Sequence, residues 1–213
     1  MSLFPIFLKL TGRPCIVIGA GHLAESKIAS LRAAEAHITV IAPHASIAIR
    51  EQAIARELTL HQRPYQTGDL KDAFLVVAAT NDPAVNRAVF VEATESGVLC
   101  NAVDDPPFCD FYFPSVVRRG DLQIAISTAG QSPALAQQLR QQLNEQLPPD
   151  LGNWLTELGN LRREVVETEP LNEARRLFLH DLARREVCAY DQCPSRQLAR
   201  QHALTNPKPT TNN

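Results

Sequence analysis

Residues 14–34 read PCIVIGAGHLAESKIASLRAA, and this stretch decides the fold. It begins with a β-branched apolar run that ends at Gly19, and an amphipathic helical pattern follows in residues 24–34. Between the two lies the motif G-x-G-x-x-A, formed by Gly19, Gly21 and Ala24. The order of strand, glycine turn and helix predicts the opening of a dinucleotide-binding βαβ unit.

Each small residue of this turn has a physical role. Gly19 allows the tight turn, Gly21 lets the backbone approach a pyrophosphate, and Ala24 lets helix and strand pack closely. The positive end of the helix then attracts the phosphates. The alternative is a tight turn in an α/β domain without a ligand. Pro43 and His44 follow the second predicted strand, where neither the usual ribose-binding acid nor an arginine is present, so the motif does not decide between NAD and NADP.

Apolar runs alternate with helical segments along the first hundred residues. Asp82 and Pro83 resemble an N-cap and a first helical residue, and they begin a helix that extends to about Ser96. Strands that are apolar on both faces and alternate with helices indicate a parallel sheet covered on both sides. We therefore predict an α/β fold with a Rossmann-like doubly wound parallel sheet, whose strands after the first lie at residues 37–42, 58–65, 74–79 and 98–103.

The pattern changes after residue 113. Residues 122–127 predict a sixth strand, and Ser132 and Pro133 begin a helix over residues 134–146 that Pro148 and Pro149 end. Beyond them, leucines recur at helical spacing, from Leu151 to Val165 and again from Leu171 to Leu182. We predict four segments: a nucleotide-binding domain (1–113), a small α+β dimerisation segment (114–147), a C-terminal helical domain (148–203) and a flexible tail (204–213).

Two polar residues follow strands at the carboxyl edge of the predicted sheet, where open α/β sheets bind ligands. Thr80 follows the fourth strand and would line the cofactor crevice; a capped turn is the alternative. Asp104 follows the fifth strand and could accept a proton if an apolar pocket walled by Phe108 and Phe111 raised its pKa. A turn former is again the alternative for this carboxylate.

A strand-to-helix turn rich in small hydroxyl residues forms a third candidate site. It contains Ser127, Thr128, Gly130 and Ser132. Such a turn at a helix N-terminus can bind an anion, either a phosphate or the carboxylates of a substrate. Capping of the helix by Ser132 is the alternative.

Composition excludes several classes of protein. With 213 residues and a net charge of -2, the chain has no basic surplus for nucleic acid. No apolar run approaches the roughly 18 residues of a membrane span, so we expect a cytoplasmic protein. An odd count of 5 cysteines indicates reduced thiols, with Cys15 and Cys100 buried in apolar runs. Cys188 and Cys193 lack the spacing of a zinc site, and we predict no metal ligands in the chain.

Four ordered segments resemble the precorrin-2 dehydrogenase and sirohydrochlorin ferrochelatase family, the dehydrogenase module of siroheme synthase. The resemblance covers about residues 3–147, and four motifs in matching order are more specific than the glycine turn alone. The segments read LFPIFLKLTGRPCIVIGAGHLAESKIASL, VVAATNDPAVN, CNAVDDP and FYFPSVVRRGDLQIAISTAGQSPALAQQLRQQL.

The resemblance implies an enzyme that removes two hydrogens from precorrin-2, with NAD as acceptor, to give sirohydrochlorin. In bifunctional members ferrous iron is then a substrate and is inserted to give siroheme. Asp104 matches the family aspartate that performs acid/base work in both reactions. The positions of the family that contact NAD correspond to His22, Leu23, Pro43 and His44.

The resemblance also implies a homodimer that exchanges the segment 114–147, with the active site between that segment and the nucleotide domain. The methyltransferase half of some members is absent, so we expect a separate uroporphyrinogen III methyltransferase to supply precorrin-2. Thr128 stands where some members have a phosphorylatable serine, and threonine makes that modification less certain. Two alternatives stay open: a dehydrogenase without chelatase activity, and a non-catalytic sensor of NAD or tetrapyrrole.

Overall fold

A computed structural model describes residues 3–183, which belong to two compact units, residues 1–113 and 114–213. The sheet of the first unit has five parallel strands in the order β3-β2-β1-β4-β5. The order reverses between β1 and β4, which makes the carboxyl ends of these strands the topological switch point. The predicted Rossmann-like sheet is thus confirmed, with β1 at Pro14–Ile18, β2 at His37–Ile41, β3 at Thr59–His61, β4 at Leu75–Ala78 and β5 at Leu99–Ala102.

Helices cover both faces of this sheet. On one face α1 (His22–Arg32) and α2 (Ile47–Ile54) pack against a core that includes Val17, Val40 and Val77. On the other, α3 (Pro83–Ser96) packs against a core that includes Ile18 and Val76. Successive strand residues therefore point to opposite cores, which explains why the central strands β1 and β4 are apolar at every position.

Two features of the first unit differ from the sequence prediction. Helix α2 was not predicted because Ile49 is its one buried residue, so it carries no amphipathic pattern. Strand β3 is shorter than residues 58–65 because the chain leaves the sheet after His61. There Arg63 forms hydrogen bonds of 2.8 and 2.6 Å to the Asp69 carboxylate and closes a loop.

The second unit begins with an antiparallel hairpin of β6 (Ser115–Arg119) and β7 (Leu122–Ile126). Only β7 was predicted, since the sequence SVVRR of β6 carries too little apolar alternation. Gly120 has φ +57 and allows the two-residue turn between the strands. Up to residue 183 three helices follow, namely α4 (Pro133–Gln146), α5 (Leu151–Thr168) and α6 (Glu173–Leu182).

Close backbone contact joins this hairpin to α5. A Cβ atom built on Gly152 would lie 2.7 Å from the carbonyl carbon of Arg119, so only glycine fits there. Helices α5 and α6 share a small core around Val165 and Leu182. Leu171, predicted on a helical face, is 88% exposed and precedes α6, so that assignment was wrong.

Residues 184–213 lie outside the described residues. They include Cys188, Cys193 and the predicted tail at 204–213. The division of the second unit at residue 148 stays a prediction.

Candidate functional site

The glycine turn closes the carboxyl end of β1 against its neighbours on both sides. Gly19 has φ +106, and its amide donates a 2.9 Å hydrogen bond to the carbonyl oxygen of Ile41 at the end of β2. On the β4 side, a Cβ atom on Gly19 would lie 2.4 Å from the carbonyl oxygen of Ala79. The position therefore accepts only glycine, because both the backbone angle and the space exclude a side chain.

Gly21 creates open space at the N-terminus of α1. It is the N-cap residue in extended conformation, no side chain caps the helix, and a Cβ atom added there meets nothing within 4 Å. By contrast, α2, α3 and α4 are capped by the side chains of Ser46, Asp82 and Ser132. The first amides of α1 thus remain for a bound anion, and the turn fits the pyrophosphate of a dinucleotide. These amides belong to His22, Leu23 and Ala24.

The loop after β2 lies beside the same turn. The Ser46 amide donates a 3.0 Å hydrogen bond to the carbonyl oxygen of Ala20, which holds the exposed residues Pro43 and His44 near the glycines. His22 is also exposed, and its Nδ1 lies 3.3 Å from Oε2 of Glu25. The structure therefore brings the predicted NAD-contacting residues to one edge of the sheet. Their contacts with the cofactor stay a prediction.

A hydrogen bond also connects Ser46 to Glu25 on α1. It holds the pKa of the Glu25 carboxyl below its usual range, with a smaller contribution from His22. Glu25 is the acidic residue in the first turn of α1. Sequence reasoning did not identify it, because its link to Ser46 joins the starts of two helices, α1 and α2, that the sequence pattern does not pair.

Thr80 lies at the end of β4, next to the glycine turn. Its amide nitrogen is 3.2 Å from the position of a Cβ atom on Gly19. Its hydroxyl lies 2.7 Å from Oδ1 of Asn86, and Nδ2 of Asn86 donates a 3.1 Å hydrogen bond to the Thr80 carbonyl oxygen. The side chain of Thr80 therefore stabilises the turn into α3, as the capping alternative expects. Its predicted role at the cofactor stays a prediction.

Asp104 lies two residues beyond the end of β5. The residue is exposed, and its backbone φ is +63. Aspartate tolerates this left-handed conformation better than most residues. The prediction that Phe108 and Phe111 wall an apolar pocket around Asp104 is wrong, because the residue is exposed and the two rings pack in different cores. Phe108 packs on Phe90 in one core, with ring centroids 5.2 Å apart, whereas Phe111 packs on Phe113 in the other.

The loop that follows Asp104 is tied back to β5. Nδ2 of the buried residue Asn101 donates a 2.7 Å hydrogen bond to the carbonyl oxygen of Phe111. The Cys100 amide donates a 2.9 Å hydrogen bond to Oδ2 of Asp110. These contacts fix the backbone on both sides of Asp104. Asn101 was not predicted, because its role depends on this return of the chain.

Lys27 of α1 is a second charged residue near Asp104. Its Nζ lies 4.4 Å from the ring centroid of Phe113, and the residue is half-buried. Burial lowers the pKa of the Lys27 ammonium, while the charge of Asp104 acts in the opposite direction. This arrangement could not be predicted, because Phe113 and Asp104 are distant from Lys27 in the chain.

The hydroxyl-rich turn belongs to the second unit. Oγ of Ser132 accepts a 3.2 Å hydrogen bond from the Leu135 amide, and Oγ1 of Thr128 accepts one of 3.2 Å from the Ser132 amide. Gly130 has φ +79, and the Ser127 hydroxyl accepts a hydrogen bond from the Ala129 amide. Capping of α4 is thus observed, and a substrate role for these four residues stays a prediction.

The cysteines in the sheet are buried thiols, as predicted. Burial raises the pKa of Cys15 to about 11 and that of Cys100 to about 12. Within residues 3–183, no group of three or more His, Cys, Asp and Glu side chains is placed to hold a metal ion. None of the helices in this range is long and apolar enough to span a membrane.

Two family models match the chain. One, described as putative NAD(P)-binding, covers residues 6–115, and one described as sirohaem biosynthesis protein central covers residues 119–146. Siroheme synthase from Nitrosococcus oceani is 38% identical over 178 residues, which are 84% of this chain and 38% of that protein. Siroheme synthase 1 from Cronobacter sakazakii is 41% identical over 180 residues, with the same coverage of 84% and 38%. The chain therefore spans well under half the length of these relatives.

A solved structure extends the similarity to the whole fold. SirC, a precorrin-2 dehydrogenase, superposes with a TM-score of 0.79 at 25% identity, covering 93% of this chain and 98% of that one. The resemblance inferred from the four motifs is thus confirmed. The first unit is an NAD(P)-binding domain, and the chain belongs to the siroheme synthase family.

Proposed function

We propose that this chain catalyses the NAD-dependent dehydrogenation of precorrin-2 to sirohydrochlorin. The observation that carries the proposal is the placement of an uncapped, open glycine turn and the Asp104 carboxylate at one edge of the same sheet. The similarity to SirC, which is named a precorrin-2 dehydrogenase, supports the same substrate.

The chemistry divides between cofactor and protein. NAD, when bound, supplies the hydride acceptor, so that precorrin-2 and NAD⁺ give sirohydrochlorin, NADH and one proton. The amides at the start of α1 bind the pyrophosphate and thereby orient the dinucleotide along the switch point. The carboxylate of Asp104 accepts the proton that leaves the macrocycle, and because the residue is exposed it passes that proton to water.

The decisive experiment follows NADH absorbance after the full chain is mixed anaerobically with precorrin-2 and NAD, with NADP in a parallel series. An Asp104→Asn variant should lower kcat by about 10²–10⁴-fold, the range for a lost general base. Asp72→Asn is the matched control, because Asp72 is also an exposed aspartate with a left-handed φ, +64 against +63 for Asp104. Full turnover by the Asp104 variant would refute the role of that residue. No NADH from wild-type protein would refute the dehydrogenase and favour the sensor.

A second activity, insertion of ferrous iron into sirohydrochlorin, is favoured by the exposure of the same carboxylate and by relatives that are named siroheme synthase. Metal insertion releases two pyrrole protons, and in this proposal Asp104 accepts them while the macrocycle supplies the nitrogen ligands. The test is the change in sirohydrochlorin absorbance on addition of ferrous or cobaltous ion. A rate equal to the protein-free control would leave a dehydrogenase alone.

The assembly follows from the same proposal. We propose a cytoplasmic homodimer in which residues 114–147 exchange between subunits and place Ser127, Thr128, Gly130 and Ser132 next to the tetrapyrrole of the partner. A uroporphyrinogen III methyltransferase supplies precorrin-2, because the substrate is the methylated form of that macrocycle. Sedimentation equilibrium of the full chain tests the dimer, and a monomer at micromolar concentration would contradict it.

A further inference from the structure

The ammonium group of Lys27 is incompletely satisfied by the protein. Lys27 is half-buried, yet among residues 3–183 it forms no hydrogen bond and no ion pair, and its Nζ lies over the Phe113 ring, 4.4 Å from the centroid. Partial removal of a cation from water has a free-energy cost that a hydrogen-bonded anion usually offsets. The described residues therefore leave the Lys27 ammonium without a hydrogen-bonded anion.

The charges around Lys27 also indicate that its ammonium group lacks a full counter-charge. Burial lowers the pKa of Lys27, and the attraction to Asp104 offsets this lowering only in part. Neither Asp104 nor any other residue among 3–183 accepts a hydrogen bond from the ammonium group. A second carboxylate bound there would complete the coordination of Lys27. The ammonium would also reduce the repulsion between that carboxylate and Asp104.

The position of Lys27 along α1 separates it from the phosphate site. It lies five residues after His22, the first residue of the helix, and thus roughly 7.5 Å further along the axis at 1.5 Å per residue. The pyrophosphate binds at the uncapped first turn, whereas Lys27 lies on the side of Asp104 and Phe113.

We propose that Lys27 is a substrate-binding residue whose ammonium group binds a carboxylate arm of the tetrapyrrole and holds the macrocycle beside Asp104. The inference rests on the proposed function, because it takes the acidic tetrapyrrole as substrate. It adds a determinant of specificity: the site selects macrocycles that carry acidic side chains, and the flat ring of Phe113 lies under the bound pair.

The test compares the full wild-type chain with Lys27→Gln, Lys27→Arg and a control, Lys71→Gln, which removes the same charge from an exposed lysine of the first unit. Two affinities are measured separately: for sirohydrochlorin by its fluorescence, and for NAD by titration. Lys27→Gln should weaken sirohydrochlorin binding and raise the KM for precorrin-2 by about 10–100-fold, the range for a lost charged hydrogen bond. Lys27→Arg should restore most of the affinity, and NAD binding should not change.

A stability measurement separates this role from a structural one. Because Lys27 forms no hydrogen bond or ion pair among residues 3–183 and the Phe113 contact is offset by partial burial, Lys27→Gln should leave the urea midpoint nearly unchanged, whereas replacement of a structural lysine would lower it. Unchanged sirohydrochlorin affinity in Lys27→Gln, beside a wild-type protein that binds and turns over, would overturn this inference and leave the proposed function intact. A loss confined to NAD affinity would also overturn it, since the anion would then be a phosphate. Wild-type protein that neither binds sirohydrochlorin nor forms NADH would overturn both.

Discussion

Replacement of Gly19 by alanine tests the reasoning about the glycine turn most directly. The new methyl group would lie 2.4 Å from the carbonyl oxygen of Ala79, whereas ordinary contact begins at 3.4 Å. The end of β4 belongs to the buried sheet and cannot move by the missing 1 Å without disturbing its pairing with β1. The residue would also keep φ near +106, which an L side chain strongly disfavours.

The two effects give the expected magnitude. An unfavourable backbone angle costs about 1–3 kcal/mol, and overpacking in a rigid environment costs about another 1–3 kcal/mol. We therefore expect Gly19→Ala to lower the free energy of unfolding by at least about 2 kcal/mol. With a urea m-value of about 2–3 kcal/mol/M, the midpoint falls by about 1 M.

Gly21→Ala is the matched control, because it adds the same methyl group two residues away. There the Cβ atom meets nothing within 4 Å, and φ is -93. The stability should fall by less than about 1 kcal/mol, the difference between glycine and alanine at an N-cap. NAD affinity should nevertheless fall by at least about 10-fold, because the methyl group occupies the space where the backbone approaches the pyrophosphate.

Far-UV circular dichroism in urea measures the loss of secondary structure, and NAD titration measures the affinity of the cofactor site. The fluorescence of Trp154, the one tryptophan of the chain, reports on the second unit separately. An unfolding midpoint of Gly19→Ala equal to that of the wild type would refute the packing argument. Full NAD affinity in Gly21→Ala would refute the assignment of the open space to the pyrophosphate.

Two further predictions concern packing in the second unit and the buried thiols. Gly152→Ala places a methyl group 2.7 Å from the backbone of Arg119. The urea midpoint, followed by Trp154 fluorescence, should therefore fall by the equivalent of about 2 kcal/mol. An unchanged midpoint would contradict the close contact. Cys15 and Cys100 have pKa values raised from 9.0 to about 11 and about 12, so the unfolded chain loses these protons at lower pH than the folded one. Their contribution to the free energy of unfolding is therefore complete below pH 9 and is lost as the pH rises toward the folded-state values. Urea midpoints should therefore fall between about pH 8.5 and about pH 10.5, and an equal slope in the Cys15→Ala, Cys100→Ala double variant would contradict this cause.

Elements with local boundary signals could be predicted from the sequence. Helix α3 is the clearest case: Asp82 was expected to cap it and Gly97 to follow its last residue. In the structure Oδ1 of Asp82 accepts a 2.9 Å hydrogen bond from the Ala84 amide, and Gly97 has φ +68. Both signals depend on residues within one helical turn, so no knowledge of the tertiary structure was needed.

Elements stabilised by their partners could not be predicted in the same way. In β6 only Val117 is buried, and the strand exists because it pairs with β7 across the Gly120 turn. Helix α2 likewise contributes Ile49 alone to the core of the sheet. In both cases the sequence pattern is weak because the stabilisation comes from pairing and packing with other elements.

The candidate site divides along the same physical line. The place of Asp104 was predictable, because the carboxyl ends of all strands in a parallel sheet meet at one edge whatever their sequence. Its surroundings were not, since they depend on where the chain returns: the Asn101 side chain holds the loop, and that loop determines which core receives Phe108 and which receives Phe111. An aspartate walled by both rings would have exchanged protons in an apolar pocket. In the proposed mechanism the exposed Asp104 instead exchanges them with water, and the proposed contact of Lys27 with a substrate carboxylate selects the macrocycle.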